Sequence, residues 1–215
     1  MKAYKLTNEN GQTKNQTQWG PNVSHSAKGE PGQSLCSDGW MHFYTNPLIA
    51  VLMNPIHAEF KSPKLWECET SGEELHEALK SGCKTLTTIE EIPLPEITLN
   101  QKIAFGILCA KEVCTDEAWN QWADRWLNGE DRTKESAAAS DAAAINASAH
   151  DLGNAAYAAA GAANNARAAA AAYDAAIDVS NAAANASYAA AYAYAAAAAA
   201  NINFIEIAEQ AMNYA

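Results

Sequence analysis

The first half of the chain contains short segments in which apolar and polar side chains alternate. Residues 40–44 and 64–69 both show this pattern, residues 84–89 are a third candidate, and residues 3–6 are a shorter one. A side-chain period of two is typical of a β-strand. The sequence therefore predicts a small sheet built from these four segments.

Helical signals lie between and after these segments. Pro47 suits the first turn of a helix over residues 48–53, and the dipeptide Asn54-Pro55 is expected to end it. Gly72-Glu73-Glu74 is expected to open a short helix. Residues 97–114 follow the spacing of an amphipathic helix. The polar stretch 7–35 reads as loop, because turn-forming residues dominate it.

Three tryptophans mark one face of a further predicted helix. Trp119, Trp122 and Trp126 are spaced at i, i+3 and i+7, which places them on one side. Thr115 resembles the N-cap of this helix, and Gly129 is placed to end it. We expect the Trp face to be core packed against the sheet, with a partner surface as the alternative.

The composition changes abruptly at Ser136. Alanine dominates from there on, and no proline follows Pro95. Alanine has the highest helix propensity, so this region is expected to be helical, with breaks possible at Gly153 and Gly161. A closing apolar stripe is expected to act as an anchor; its members are Ile202, Ile205, Ala208 and Met212. The predicted fold class is α+β: a small mixed sheet with packed helices over 1–134, followed by an Ala-rich, bundle-forming helical region over 135–215.

Alanine faces let helices approach closely, but each face buries little area. Several copies are then needed for a stable assembly, and we expect a homo-oligomer formed through residues 136–215. The alternative is a low-complexity tail that is helical only in part. An ice-binding helix would need a regular row of Thr, and no Thr follows Thr133.

The chain carries a formal net charge of −11, which disfavours nucleic acid or an anionic membrane as partner. We see no signal peptide and no segment apolar enough to span a bilayer. The five cysteines include no C-x-x-C pair, so we expect reduced thiols, no metal site and a location in the cytoplasm.

Few residues suggest chemistry. His42 and His57 flank the helix predicted at 48–53, and Asp38 lies near them in sequence; a His–Asp pair can serve acid–base catalysis. No catalytic or nucleotide-binding motif accompanies them, so we expect structural histidines, no catalytic residue and no cofactor. Tyr157 and Tyr173 could stack on a planar ligand or fill space between alanine helices.

The segment Gly39–Val51 resembles uncharacterised proteins of bacteriophages and prophages. In those proteins a glycine-x-x-histidine strand precedes an asparagine-proline-leucine helix start, and a long alanine-rich tract often ends the chain. This resemblance implies a phage protein acting in the host cytoplasm, but it implies no particular activity.

A second resemblance concerns the glycine-led strand, the Thr-Asn-Pro turn and the strand at residues 65–69. This order is similar to the middle of ADP-ribosyltransferase-type folds, where the segment lines a nicotinamide nucleotide cleft. The chain departs from that pattern, because its first strand carries Tyr4 and Lys5 rather than a clear His or Arg. Glu90 and Glu91 are the candidates for a catalytic glutamate.

Together these observations predict a phage-encoded, non-enzymatic binding protein that opposes host defence. It would sequester a nucleotide signal or bind a defence protein. The alternatives are an ADP-ribosyltransferase-like enzyme and an assembly protein that works through its alanine helices. Two ligand sites compete: Arg167 repeated across an oligomer, near Tyr157 and Tyr173, and a cleft around His42, Tyr44 and Asn46.

Overall fold

The structure is a computed structural model that describes residues 2–148, 161–164, 166, 188, 191 and 202–214. The chain divides into two compact units, Met1–Glu96 and Ile97–Ala215. The sequence places the boundary near residue 134 instead. The contacts group the two helices before residue 134 with the Ala-rich region.

The first unit is built on a five-stranded antiparallel sheet, and together with the helices this confirms the α+β class. Its strands are β1 (Ala3–Thr7), β2 (Val23–Ser26), β3 (Met41–Phe43), β4 (Lys64–His76) and β5 (Ser81–Ile92). The order is β1-β4-β5-β2, and β3 also pairs with β5. Strands β4 and β5 form a hairpin, closed by the Glu77 N–H, which donates to the Lys80 carbonyl at 3.0 Å.

The four predicted strands are confirmed, and two predictions for the segments between them are wrong. The segment 72–74 does not open a helix, because β4 continues through it with an irregularity between Ser71 and Glu74. The stretch 7–35 is not all loop, because β2 pairs with β5 inside it. The exposed Ser24 and Ser26 give β2 a polar face, which conceals a strand from a search for apolar residues.

One helix accompanies the sheet, α1 (Pro47–His57). Asn46 caps its start, since the Asn46 side chain accepts hydrogen bonds from the N–H groups of Leu48 and Ile49. The expectation that Asn54-Pro55 ends the helix is wrong. The helix makes a further turn past Pro55, and the Asn54 carbonyl then accepts the N–H of Ala58 at 3.0 Å. This extra turn brings Ile56 and His57 to the site described below.

Alternation along the strands separates two buried faces. Residues of β1, β4 and β5 join Trp19 and Phe43 in one apolar cluster: Ala3, Trp66, Cys68, Cys83 and Leu86. Leu35 and Trp40, from the loop before β3, lie directly against Gly82 of β5. A β-carbon at position 82 would stand only 2.9 Å from the β-carbon of Trp40 and 2.6 Å from a methyl of Leu35. The loop before β3 is thus packed directly on the sheet.

The second unit is helical in its described parts. Its helices are α2 (Leu99–Lys111), α3 (Glu117–Leu127), α4 (Lys134–Ser148) and α5 (Phe204–Ala211). A capping box joins Thr98 and Gln101 at the start of α2. Asp116, rather than the predicted Thr115, caps α3 by accepting the Trp119 N–H at 2.7 Å. Gly129, with φ +77°, follows the end of α3 as predicted.

The predicted Trp face is buried: Trp119, Trp122 and Trp126 are each at most 2% exposed. Within its own unit, α3 contacts α2 and α4. The predicted C-terminal anchor is also a helix, α5, which packs on α2. Its buried side chains are Phe204, Ile207, Ala208 and Ala211, so the predicted stripe shares only Ala208 with the observed one.

The Ala-rich region is described only in part. Residues 134–148, 161–164, 166, 188 and 191 are helical. Ala137, Ala162, Ala163 and Ala166 are buried. Tyr157, Arg167 and Tyr173 lie outside the described residues. Self-association through residues 136–215 stays a prediction.

Candidate functional site

The first unit encloses an open cavity of about 550 Å³. That volume lies within the range of small-molecule binding sites. The walls come from the edge of β1, the turn at 13–17, β3 with the loop before it, and the end of α1. The lining residues are Lys5, Leu6, Thr13, Lys14, Asn15, Thr17, Cys36, Trp40, Met41, His42, Phe43, Tyr44, Ile56, His57, Ala58, Phe60 and Lys80.

Lys5 lies at the inner wall of the cavity. Its position on β1 between Ala3 and Thr7, both fully buried, directs the side chain to an interior face. The ammonium donates to the His42 carbonyl at 2.8 Å and lies 4.7 Å from the centre of the Trp19 ring. Burial lowers the pKa of Lys5 from 10.5 to about 8, because desolvation disfavours the charged form.

His42 lies beside Lys5, as β3 brings it to the wall. Its Nε2 lies 2.6 Å from the Leu35 carbonyl oxygen, which can only accept, so Nε2 carries the proton. Desolvation is the main cause of a lowered pKa for His42, and the charges of Lys80 and Lys5 act in the same direction. The ring is therefore neutral at pH 7, with Nδ1 as an acceptor.

Tyr44 and His57 form a hydrogen-bonded pair at another wall. The hydroxyl of Tyr44 lies 3.1 Å from Nδ1 of His57, and the two rings are stacked with centres 5.9 Å apart. Burial raises the pKa of Tyr44 and lowers that of His57 to about 4. Both groups are therefore neutral at pH 7. We assign Tyr44 as the donor, which leaves Nε2–H of His57 as the ring's own donor.

The charges of the lining are one-sided. It holds three lysines, Lys5, Lys14 and Lys80, and no carboxylate among the described residues that form it. Because the whole chain has a net charge of −11, this is a local reversal of sign. Lys14 stands in a turn whose neighbours Asn15 and Gln16 have φ of 58° and 57°, a conformation that side chains other than glycine adopt at a cost.

Aromatic rings supply the apolar part of the walls: Trp40, Phe43, Tyr44 and Phe60. The indole N–H of Trp40 donates to the Gly32 carbonyl at 3.2 Å, which fixes the ring. The Asn54 side chain holds the backbone of Phe60 at both its N–H and its carbonyl, at 3.2 and 2.9 Å. These anchors preorganise flat surfaces beside the lysines.

The structure separates the residues that the sequence proposed for a cleft. His42 and Tyr44 both line the cavity. Asn46 is not among the lining residues; its side chain caps α1. Glu90 and Glu91 are exposed on β5 and are likewise not among them, and Glu91 pairs with Lys64 at 3.5 Å. Asp38, in the loop before β3, is exposed.

Sequence reasoning missed the lysines as site residues. Strand alternation puts Lys5 on the face of Ala3 and Thr7, opposite Tyr4 and Leu6, and the sequence alone does not indicate that this face is buried. Lys14 and Lys80 lie outside the strands, and only the fold brings them to the cavity. His57 is a candidate from the sequence, but its position at the cavity wall depends on the helical turn beyond Pro55.

The described residues contain no cluster of three or more His, Cys, Asp or Glu side chains placed to hold a metal ion. Among the helices in the described part of the chain, none has the length and hydropathy needed to cross a membrane. All five cysteines are free. Comparison with protein-family models, with curated proteins and with solved structures finds no match to this chain.

Proposed function

We propose that the protein binds a small anionic ligand of the nucleotide class in the cavity of its first unit. The observation that carries the proposal is the charge of the lining: three lysines and no carboxylate among its described residues, in an acidic chain. A buried positive charge without a counter-charge is costly, and a bound anion would supply the missing charge.

The shape of the cavity supports a ligand with a planar part. Phosphate groups would pair with Lys14 and Lys80 near the solvent, and a base would lie against the aromatic walls. The neutral Nε2–H of His57 and the Nδ1 acceptor of His42 add one donor and one acceptor. Such a mixture can read the polar edge of a base.

In a phage-infected cell, this binding would act by sequestering a nucleotide signal of the host. Sequestration requires tight binding but no catalytic turnover. A site whose histidines are neutral and whose charged groups are lysines is suited to binding an anion. The competing proposal places the ligand at Arg167 in the Ala-rich region, outside the described residues.

Calorimetry with a panel of cyclic and NAD-derived nucleotides tests the proposal. We expect one member to bind, and we expect Lys80→Gln and His42→Ala to weaken its binding at least tenfold. Lys28→Gln is the matched control, since Lys28 is exposed and is not among the lining residues. Binding that survives His42→Ala and is lost in Arg167→Ala would move the site to the helical region. If no nucleotide binds, the proposal fails.

A further inference from the structure

Lys5 differs from the other lysines of the cavity in how it is held. It is 8% exposed, whereas Lys14 is exposed and Lys80 is half-buried. Pairing of β1 with β4 places Lys5 opposite Trp66, and pairing of Tyr4 with Tyr44 fixes the strand on its other side. Lys5, a residue of the cavity lining, is thus held on a strand that is paired on both sides.

No carboxylate is paired with this amine among the described residues. Desolvation is the main influence on the pKa of Lys5 and lowers it. The next influences are the thiols of Cys68 and Cys83, which raise it. Burial raises the pKa of the Cys68 thiol to about 12 and that of the Cys83 thiol to about 11, so both are neutral at pH 7. A lysine with no anionic partner loses its proton more easily than one in an ion pair.

We propose that Lys5 reacts with ligands that carry an aldehyde or a reducing sugar carbon beside an anionic group, holding them as an imine. The proposal rests on the proposed function only in that Lys14 and Lys80 draw the anionic group into the cavity. It adds a covalent and reversible bond to a specific atom, Nζ of Lys5.

The reaction balances without any further reagent. The lone pair of the neutral amine forms a bond to the carbonyl carbon, and the carbonyl oxygen becomes the hydroxyl of a carbinolamine. Loss of that hydroxyl with one proton as water leaves the C=N bond. Both hydrogens of the water come from the amine, and one molecule of carbonyl compound and one amine give one imine and one water.

The hydrogen bond of the amine favours this step. A neutral amine still has a hydrogen to donate to the His42 carbonyl, so the hydrogen bond at 2.8 Å orients the nitrogen while its lone pair is available.

The test uses the full-length wild-type chain with pyridoxal 5′-phosphate, which carries an aldehyde and a phosphate, followed by borohydride reduction. We expect one stable adduct per chain, located on Lys5 by peptide mapping. We also expect its rate of formation to rise with pH around the pKa of about 8, below the ordinary value for lysine. Adducts spread over exposed lysines, or no adduct at Lys5, would overturn the proposal.

Pyridoxine 5′-phosphate is the matched control, because it has an alcohol in place of the aldehyde. If it binds in the cavity while the aldehyde gives no adduct at Lys5, imine formation is wrong and anion binding stands. If neither compound binds, both proposals fail for this class of ligand. Lys5→Arg keeps the charge but cannot form the imine, so we expect it to lose the adduct, whereas Lys28→Gln should retain it.

Discussion

At the scale of single residues, burial turns an ordinary lysine into the central group of the site. Most lysines of a soluble protein stay in water, because a buried ammonium costs several kcal/mol unless it is paired. Lys5 is buried in the interior with a carbonyl and an aromatic ring as its neighbours. A group retained in such an environment is a candidate for function rather than for stability.

Replacing Lys5 with methionine should therefore stabilise the protein while removing the site. The lowering of the pKa from 10.5 to about 8 measures the cost of the charged form in the folded state. That cost is on the order of 3 kcal/mol at pH 7, and Met of similar shape avoids it. Urea denaturation at pH 7 should show Lys5→Met with the higher free energy of unfolding.

Lys2→Met is the matched control on the same strand end, because the Lys2 side chain is 72% exposed and its ion pair with Glu67 is superficial. We expect a change within about 0.5 kcal/mol there. A loss of stability in Lys5→Met would show that the ammonium's contacts outweigh its desolvation.

Trp122 provides a residue-scale prediction for the second unit. It is 1% exposed, and its indole N–H has no hydrogen-bond partner among the described residues. Trp122→Ala should lower the free energy of unfolding by about 3–5 kcal/mol, because it leaves a large cavity. Trp122→Phe should cost much less, since it keeps most of the ring and removes an unpaired donor. Equal losses in the two variants would refute this explanation.

At the scale of elements, the sequence predicts the start of α1 correctly and its end wrongly. Pro47 and Asn46 mark its start in the sequence, and the structure places both there. Proline removes one N–H and crowds the carbonyl four residues earlier, which is why Pro55 was expected to stop the helix. The Asn54 carbonyl and side chain hold the last turn and the following chain, and a local rule cannot foresee these contacts.

The difference between local signals and distant contacts also explains how much of the site could be predicted from the sequence. Strand alternation and helix caps are local, so β1, β3, β4, β5 and α1 were predictable. The cavity depends on the packing of loops, because Leu35 and Trp40 lie against Gly82 and His42 follows them on β3, beside Lys5. Contacts between segments so far apart in sequence leave no periodic trace in a single chain.

Substitutions of Asn46 test whether this residue caps α1 or contacts the ligand. Asn46→Ala should lower the free energy of unfolding by about 1 kcal/mol, because two N–H groups of α1 lose their acceptor. Asn46→Asp keeps an acceptor at the same place and should restore the stability, as measured by thermal unfolding. Ligand affinity should be equal in wild type and Asn46→Asp. Loss of binding in Asn46→Asp with stability intact would instead return Asn46 to the ligand site.

At the scale of the whole molecule, two histidines of the cavity wall couple folding to pH. His57 has a pKa of about 4 in the folded protein, below the ordinary value of 6.5. Between these two values the unfolded chain binds more protons than the folded one. The free energy of unfolding should therefore fall as the pH is lowered from about 6.5 to about 4, and His42 adds to the same trend.

Denaturation curves across this range, for wild type and His57→Gln, would check the prediction. The variant cannot bind the extra proton in its unfolded state, so its stability should decline less steeply between pH 6.5 and 4. Above pH 7 the difference between the two proteins should stay constant. Identical slopes below pH 6.5 would mean that His57 titrates normally in the folded chain.

The arrangement of the cysteines has a practical consequence for labelling. Cys36 is exposed and lines the cavity, while Cys68, Cys83 and Cys109 are buried and Cys114 is half-buried. Burial raises the pKa of each of these other four thiols, which slows their reaction with alkylating reagents. A maleimide fluorophore should therefore attach at Cys36 in the unaltered sequence, and its emission would report in real time when a molecule enters the cavity beside it.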